Sequence, residues 1–350
     1  MSEYLKWGIK QDSSVLNSAV ELTDANARNR YLKEYLEIDS EDIKEKVEMR
    51  MKVFIKAITI MKEEYHGTIL EMGCGQGVLS GCFSRMQKVD KVLALDYSKV
   101  CVEELIPIVF SRLGADENKI TRILGSFNDM QLEDNSIDFI VSSGTLHHSE
   151  DLLRTAQECY RVLKPGGWCI HSDTIKSHAN SVQAKEQLKT PLSREKLAFR
   201  YGSSYVEKVI TSEMLSSHQL FLCDIEHYFT KANFDIYSFP MIIINNRAIR
   251  PILYMLYKLF GNIHFMNYHR LERVPIYPWF LHKRLHEISL ANKNLLFLCR
   301  KPPLTVSKVS HKVEKKRILQ KVLDYLFVTN RQMERKYRND LRKLFDSINV

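Results

Sequence analysis

Between Thr68 and Asp173 short apolar runs alternate with amphipathic stretches of helical length: TILEM, KVLALD, KITRIL, IDFIVSS and WCIHSD, in that order. Parallel strands cannot be joined by a tight turn and need crossover segments, so this rhythm predicts a mostly parallel sheet wrapped by helices. Residues 1–65 read instead as helical and polar-rich, with Val53, Ile55, Ile58 and Ile60 leading into the first strand. After Thr174 the rhythm breaks, although DIEHYFTKANF followed by DIYSFPMII resembles a helix feeding a strand. NLLFLC, residues 294–299, reads as the last strand, and Lys301, Pro302 and Pro303 end the sheet because successive prolines cannot donate to a ladder.

The pattern divides the chain into an N-terminal helical segment (1–65), an α/β domain (66–303) and a helical tail (304–350). Two insertions, residues 175–222 and 243–293, interrupt the α/β domain. The second is rich in aromatics: Tyr254, Tyr257, Phe260, Phe265, Tyr268, Tyr277, Trp279 and Phe280. In the tail, Ile318, Leu319, Val322, Leu323 and Leu326 fall on one helical stripe.

Composition excludes a disordered or fibrous chain, since 45% of the 350 residues are hydrophobic and Gly and Pro are sparse. The opening MSEYLKWGIKQDSS lacks the apolar run of a secretory signal, and no stretch is apolar enough to span a bilayer, so a cytoplasmic protein is expected. Seven scattered cysteines form no CxxC pair, so reduced, mostly buried thiols and no metal site are expected. The net charge of +9 is concentrated in the tail, where Lys308 to Val350 hold twelve Lys or Arg against five Asp or Glu. A basic tail admits an anionic partner, while the body is close to neutral.

The segment ILEMGCGQGVLS places Gly73, Gly75 and Gly77 between a strand and a helix. Glycines there let the backbone turn sharply and let a ligand lie against it beside the positive end of the helix. The spacing is GxGxG with Val78 at the sixth position, which disfavours the GxGxxG of nicotinamide and flavin enzymes. The Lys and Ser or Thr of a phosphate-binding P-loop are missing as well. Asp96 ends the second strand, where it either caps the next helix or accepts the hydroxyls of a ribose; its company with the glycine loop favours the ribose.

Together, EMGCGQG, LALDYS, GSFNDMQLEDNSIDFIVSSGTLHH and RVLKPGGW resemble, in order and spacing, the class I S-adenosylmethionine-dependent methyltransferases of the small-molecule, type 11-like branch. The likeness covers residues 69–173. It implies a Rossmann-like seven-stranded sheet with helices on both faces, and S-adenosyl-L-methionine as cofactor. It also implies that Glu71, Gly73, Gly75 and Gly77 surround the methionine and sulfonium part, that Asp96 holds the ribose and that Tyr97 lies beside the adenine. Ser126 stands where many members carry an Asp that meets the adenine, with Phe127 to pack on the ring; Ser143 completes the implied cofactor set. In RVLKPGG the helix is expected to end at Lys164 and to turn through Pro165, Gly166 and Gly167 into the fifth strand.

Methyl transfer from a sulfonium needs mainly positioning and desolvation, with at most one general base. His147 and His148 follow the fourth strand, whose carboxyl end borders the cleft, and a histidine exchanges protons near neutral pH; either is a candidate base, or a residue that shapes the loop. His171 and Asp173 near the end of the fifth strand stand under the same alternatives. The expected partner is a small-molecule acceptor, methylated on O, N or C and enclosed by the aromatic insertion. PILYMLYKLF, residues 251–260, with Arg247, Arg250 and Lys258 nearby, admits peripheral membrane contact. An RNA or protein methyltransferase, or a binding protein retaining the fold, are the alternatives; no Asn-Pro-Pro-Tyr-type motif or RNA-binding module supports nucleic acid.

Overall fold

The computed structural model describes residues 4–7, 14–175, 189–211, 220, 222–241, 263–267, 270–275 and 293–303. Its sheet contains β1 (Leu5–Lys6), β2 (Gly67–Met72), β3 (Val89–Asp96), β4 (Ile120–Leu124), β5 (Ile137–Ser143), β6 (Leu163–Ile175), β7 (Asp235–Met241) and β10 (Lys293–Arg300). The order is β1-β4-β3-β2-β5-β6-β10-β7. Every pair from β1 to β6 is parallel, whereas β10 runs antiparallel between β6 and β7. A separate hairpin joins β8 (Ile263–Asn267) to β9 (Arg270–Pro275) within the second insertion.

The sheet thus has eight strands, not the expected seven. The additional one is β1, which pairs Leu5 with Ile123 and Lys6 with Leu124, and whose successor Trp7 donates its N–H to Leu124 O at 2.9 Å. Trp7 packs over Gly125, where a Cβ would stand 2.7 Å from the indole. Residues 1–65 are therefore helical only after an edge strand.

The N-terminal helices are α1 (Ser14–Asn26), α2 (Lys33–Glu37) and α3 (Ser40–Met61), with a π-helical turn at Ala27–Leu32 between the first two. Asp39 caps α3 by accepting from Asp42 N, and Lys62 ends it in the left-handed region. The inner face of α3, with Val47, Met51, Phe54 and Ile58, packs with the sheet residues Ile69, Val92, Phe139 and Ile170 in one core. On the other face, α6 (Leu152–Val162) and α8 (Leu222–Lys231) cover Leu70, Leu95, Ile140 and Phe297. The remaining helices of the parallel part are α4 (Val78–Ser84) and α5 (Ile106–Leu113).

RVLKPGG differs from expectation. The helix stops at Val162 and Leu163 already pairs with Ile137, so β6 spans Leu163 to Ile175, but its register against β5 breaks between Leu163 and Trp168, where Pro165, Gly166 (φ 88) and Gly167 lie. Pro165 disfavours the helical conformation at Lys164, which pushes the boundary towards the amino end. Gly167 then lets two backbones approach, because a Cβ there would lie 2.7 Å from Asp138 O.

Of the first insertion, α7 (Arg194–Tyr201) lies against the N-terminal helices, with Leu197, Tyr201 and Ile210 around Leu22. The candidate lid aromatics apart from Phe265, the possible interfacial segment 251–260 and the basic tail lie outside the described residues.

Candidate functional site

At the carboxyl end of β2 the chain turns through Gly73, Gly75 and Gly77, all with positive φ, into α4. The three glycines have different reasons to be glycine. A Cβ on Gly73 would strike the side chain of Thr145, and one on Gly77 would lie 2.9 Å from Phe110 and 3.1 Å from Ile106, so these two serve packing. A Cβ on Gly75 would meet nothing within 4 Å. Its open face is where a ligand can approach the backbone.

Two sets of side chains hold the loop. Gln76 is buried, and its Oε1 accepts from Arg50 Nη2 at 2.7 Å and from the Tyr35 hydroxyl at 3.0 Å, so α2 and α3 clamp the loop from outside. Glu71, at the floor, accepts from the N–H of Ser80 at 2.7 Å and from the Ser80 hydroxyl. Burial pushes its carboxyl up to about 7 against these hydrogen bonds. Glu71 thus braces β2 against α4 from inside the core.

Asp96 ends β3 directly beside this loop. Its Oδ2 accepts the Gly75 N–H at 2.7 Å and its Oδ1 accepts the Ser98 N–H at 2.8 Å. The following helix is capped by Ser98, whose Oγ accepts from Cys101 N at 3.1 Å, whereas Asp96 lies beside the glycine loop and its carboxylate keeps acceptor capacity for a ligand hydroxyl. Burial raises its carboxyl pKa against the backbone donors of Ser98, Gly75 and Tyr97. Tyr97, half-buried, has its hydroxyl 3.2 Å from Thr23 Oγ1. Asp24, also on α1, accepts from the Ser98 hydroxyl and from Val100 N at 3.3 Å. The N-terminal helix is therefore fastened to the segment that follows Asp96. Neither Thr23 nor Asp24 stands in any recognised motif, so the sequence signalled neither.

Ser126 and Phe127 follow β4. Ser126 Oγ accepts from Asn128 N at 3.1 Å, which commits one acceptor to its own turn. Phe127 is buried in the cluster that contains Trp7, Leu93 and Leu95. Trp7 is a second residue the sequence did not flag, and it reaches this corner through β1.

Opposite, β5 ends at exposed Ser143, and Gly144 leads into a 3₁₀ turn, Leu146–His148. Thr145 rests on the glycine loop with its hydroxyl 3.3 Å from Gly73 O. His147 Nδ1 lies 2.9 Å from Asp173 Oδ1 on neighbouring β6, and its backbone N–H points at Oδ2 at 3.4 Å. The Asp173 side chain is 2% exposed and that of His147 31%. The ring of His148 lies 4.0 Å from that of His147 and tilted to it. The structure separates the two histidines: His147 has a carboxylate behind it, and His148 leans on His147.

His171 is not at the cleft. It is buried between Phe229 and Phe297, with Nδ1 2.7 Å from Ser142 Oγ and Nε2 unpartnered, and burial lowers its pKa to about 4. Cys169 and Cys299 lie close enough to form a possible ligand group with it. Burial holds both thiols protonated, so the group reads as core. The six cysteines whose side chains are described are free and buried.

A family model described as a methyltransferase domain matches residues 70–171. The biotin biosynthesis bifunctional protein BioHC of Teredinibacter turnerae is 34% identical over 109 residues, 29% of this chain and 18% of that protein. The demethylmenaquinone methyltransferase of Symbiobacterium thermophilum is 33% identical over 118 residues, 33% of this chain and 45% of that one. This chain spans less than half the length of either relative. Phosphoethanolamine N-methyltransferase 2 of Haemonchus contortus, solved with S-adenosyl-L-methionine, aligns over 72% of this chain and 52% of its own at 17% identity, with a TM-score of 0.41.

Proposed function

We propose, for a chain that contains a class I S-adenosylmethionine-dependent methyltransferase domain, that the whole protein transfers a methyl group to an O, N or C atom of a small-molecule acceptor. The observation that carries this reading is Gly75: positive φ, open space where a Cβ would stand, and an N–H already turned onto Asp96. Such a cradle fits S-adenosylmethionine, with its ribose hydroxyls on Asp96, its methionine part along the loop and its adenine towards Tyr97, Ser126 and Phe127. The cofactor supplies a methyl group on a sulfonium, ready for in-line displacement. The protein's share is to fix the acceptor at attack distance and to exclude water.

Relatives named for quinone and biotin biosynthesis support a small acceptor. Acceptor choice belongs to residues 175–293, since the motifs around Gly75 and Asp96 are occupied with the cofactor. Among the described residues no helix is long and apolar enough to cross a membrane.

Isothermal calorimetry tests the reading. S-adenosylmethionine and its demethylated product should bind the purified protein, and NAD should not. No heat with either sulfur compound, or NAD binding of equal strength, sinks it.

A further inference from the structure

From the contact between His147 and Asp173 we infer that this pair is a proton-accepting dyad, and that the methyl acceptor therefore gives up a proton as it is methylated, as an O–H, N–H or acidified C–H group does and a carboxylate does not. The inference rests on the methyl-transfer reading and narrows it.

Asp173 is oriented before any substrate arrives. It is buried, and it receives Thr174 N at 2.7 Å as well as the two contacts from His147. A carboxylate beside Nδ1 requires the proton on Nδ1, which leaves Nε2 as a lone-pair acceptor on a side chain still open to solvent. The pair sits at the right end of the sheet. Ser143 and Ser172 are register partners on adjacent parallel strands, and the turn bearing His147 begins at Thr145, which touches Gly73 of the ligand loop.

The chemistry balances with these groups alone. As the acceptor's lone pair forms the new bond to the methyl carbon, the C–S bond breaks and its electron pair stays on the now neutral sulfur. The acceptor's proton passes to His147 Nε2. Asp173 stabilises the resulting imidazolium, and the proton leaves to water. A carboxylate acceptor has no proton to lose and would give the dyad no task. His147 is thus the catalytic base and Asp173 a positioning residue, orienting the ring without touching substrate.

Three measurements on the full chain test this. Long-range proton–nitrogen NMR of the wild type at alkaline pH should show His147 as the Nδ1–H tautomer; the Nε2–H tautomer overturns the dyad without any variant. Diethyl pyrocarbonate should acylate His147 about tenfold more slowly in Asp173→Asn, with exposed His227 as internal reference; an unchanged ratio also overturns it. Finally, a metabolite extract incubated with methyl-deuterated cofactor should yield products labelled on O, N or C atoms that carried hydrogen. Labelled methyl esters of carboxylates overturn the acceptor class. If the tautomer and cofactor binding hold but no product is labelled, the methyl-transfer reading fails and takes the base role of His147 with it, leaving only the hydrogen-bonded pair; a wrong tautomer with labelled product overturns the dyad alone.

Discussion

The Gly75 N–H donates to Asp96 Oδ2 across 2.7 Å, so the glycine loop and the acid at the end of β3 form one unit. Removing the carboxylate acts twice: it deletes an acceptor for the ligand and frees the backbone that cradles it. Asp96→Ala should weaken S-adenosylmethionine binding by more than tenfold, since a hydrogen bond to a charged group contributes about 1.5–3 kcal/mol. Asp96→Asn, which keeps an acceptor oxygen, should lose less. Calorimetric titration of both variants decides, and equal binding by wild type and Asp96→Ala would remove Asp96 from the site.

The glycines at 75 and 77 offer a cleaner separation of ligand binding from packing. Gly77→Ala forces a Cβ to within 2.9 Å of Phe110 at φ 75 and should cost stability by about 1–3 kcal/mol from backbone strain alone. Gly75→Ala meets no neighbour, so it should melt close to wild type, about 1–2 kcal/mol weaker, while losing most of its cofactor affinity. Thermal melts beside calorimetry would expose the opposite pattern if the assignment is reversed.

Two buried groups pull stability in opposite directions with pH. Glu71, raised to about 7 in the fold, binds more protons folded than unfolded, so its contribution falls as pH rises from 4.5 towards 7. His171, lowered to about 4, binds fewer protons folded, so its contribution is lost as pH falls from 6.5 towards 4. Where the windows overlap the slopes oppose, each at most about 1.4 kcal/mol per pH unit. Urea titrations should show Glu71→Gln becoming less stable relative to wild type as pH drops through this range. The pair His171→Leu with Ser142→Ala, which leaves neither hydrogen-bond partner stranded, should gain relative to wild type. Parallel pH profiles for all three proteins would refute both assignments.

Asp24 fastens α1 to Ser98 and Val100, just past Asp96. Asp24→Ala should lower cofactor affinity several-fold through a faster off-rate, with the sheet intact. Stopped-flow fluorescence would show this, and an unaltered off-rate would reduce the contact to packing.

Which parts of this were legible in the sequence follows from the range of the forces involved. The buried strands announced themselves, since β2, β3 and β5 are covered on both faces and read as continuous apolar runs. The glycine loop and Asp96 were visible because close backbone approach leaves few residue choices. In contrast, β1 is two residues held by backbone bonds to β4, a contact that imposes no composition. The dyad joins residues 26 apart, and the Asp24 clasp on Ser98 joins residues 74 apart. Only the fold brings such pairs together. The end of α6 was misplaced because PGG reads as a turn, whereas Leu163 already finds a strand partner in Ile137.

The stretch between β7 and β10 begins and ends at neighbouring positions of the sheet, because Met241 and Asn294 face each other across the two strands. A detour whose two ends are already side by side can lengthen or shorten at small entropic penalty, since closure grows only with the logarithm of loop length. The parallel part of the sheet, β1 to β6, takes its register from pairs that do not involve that stretch. Grafting a segment of different length between the same two strands should therefore leave the parallel part of the sheet intact.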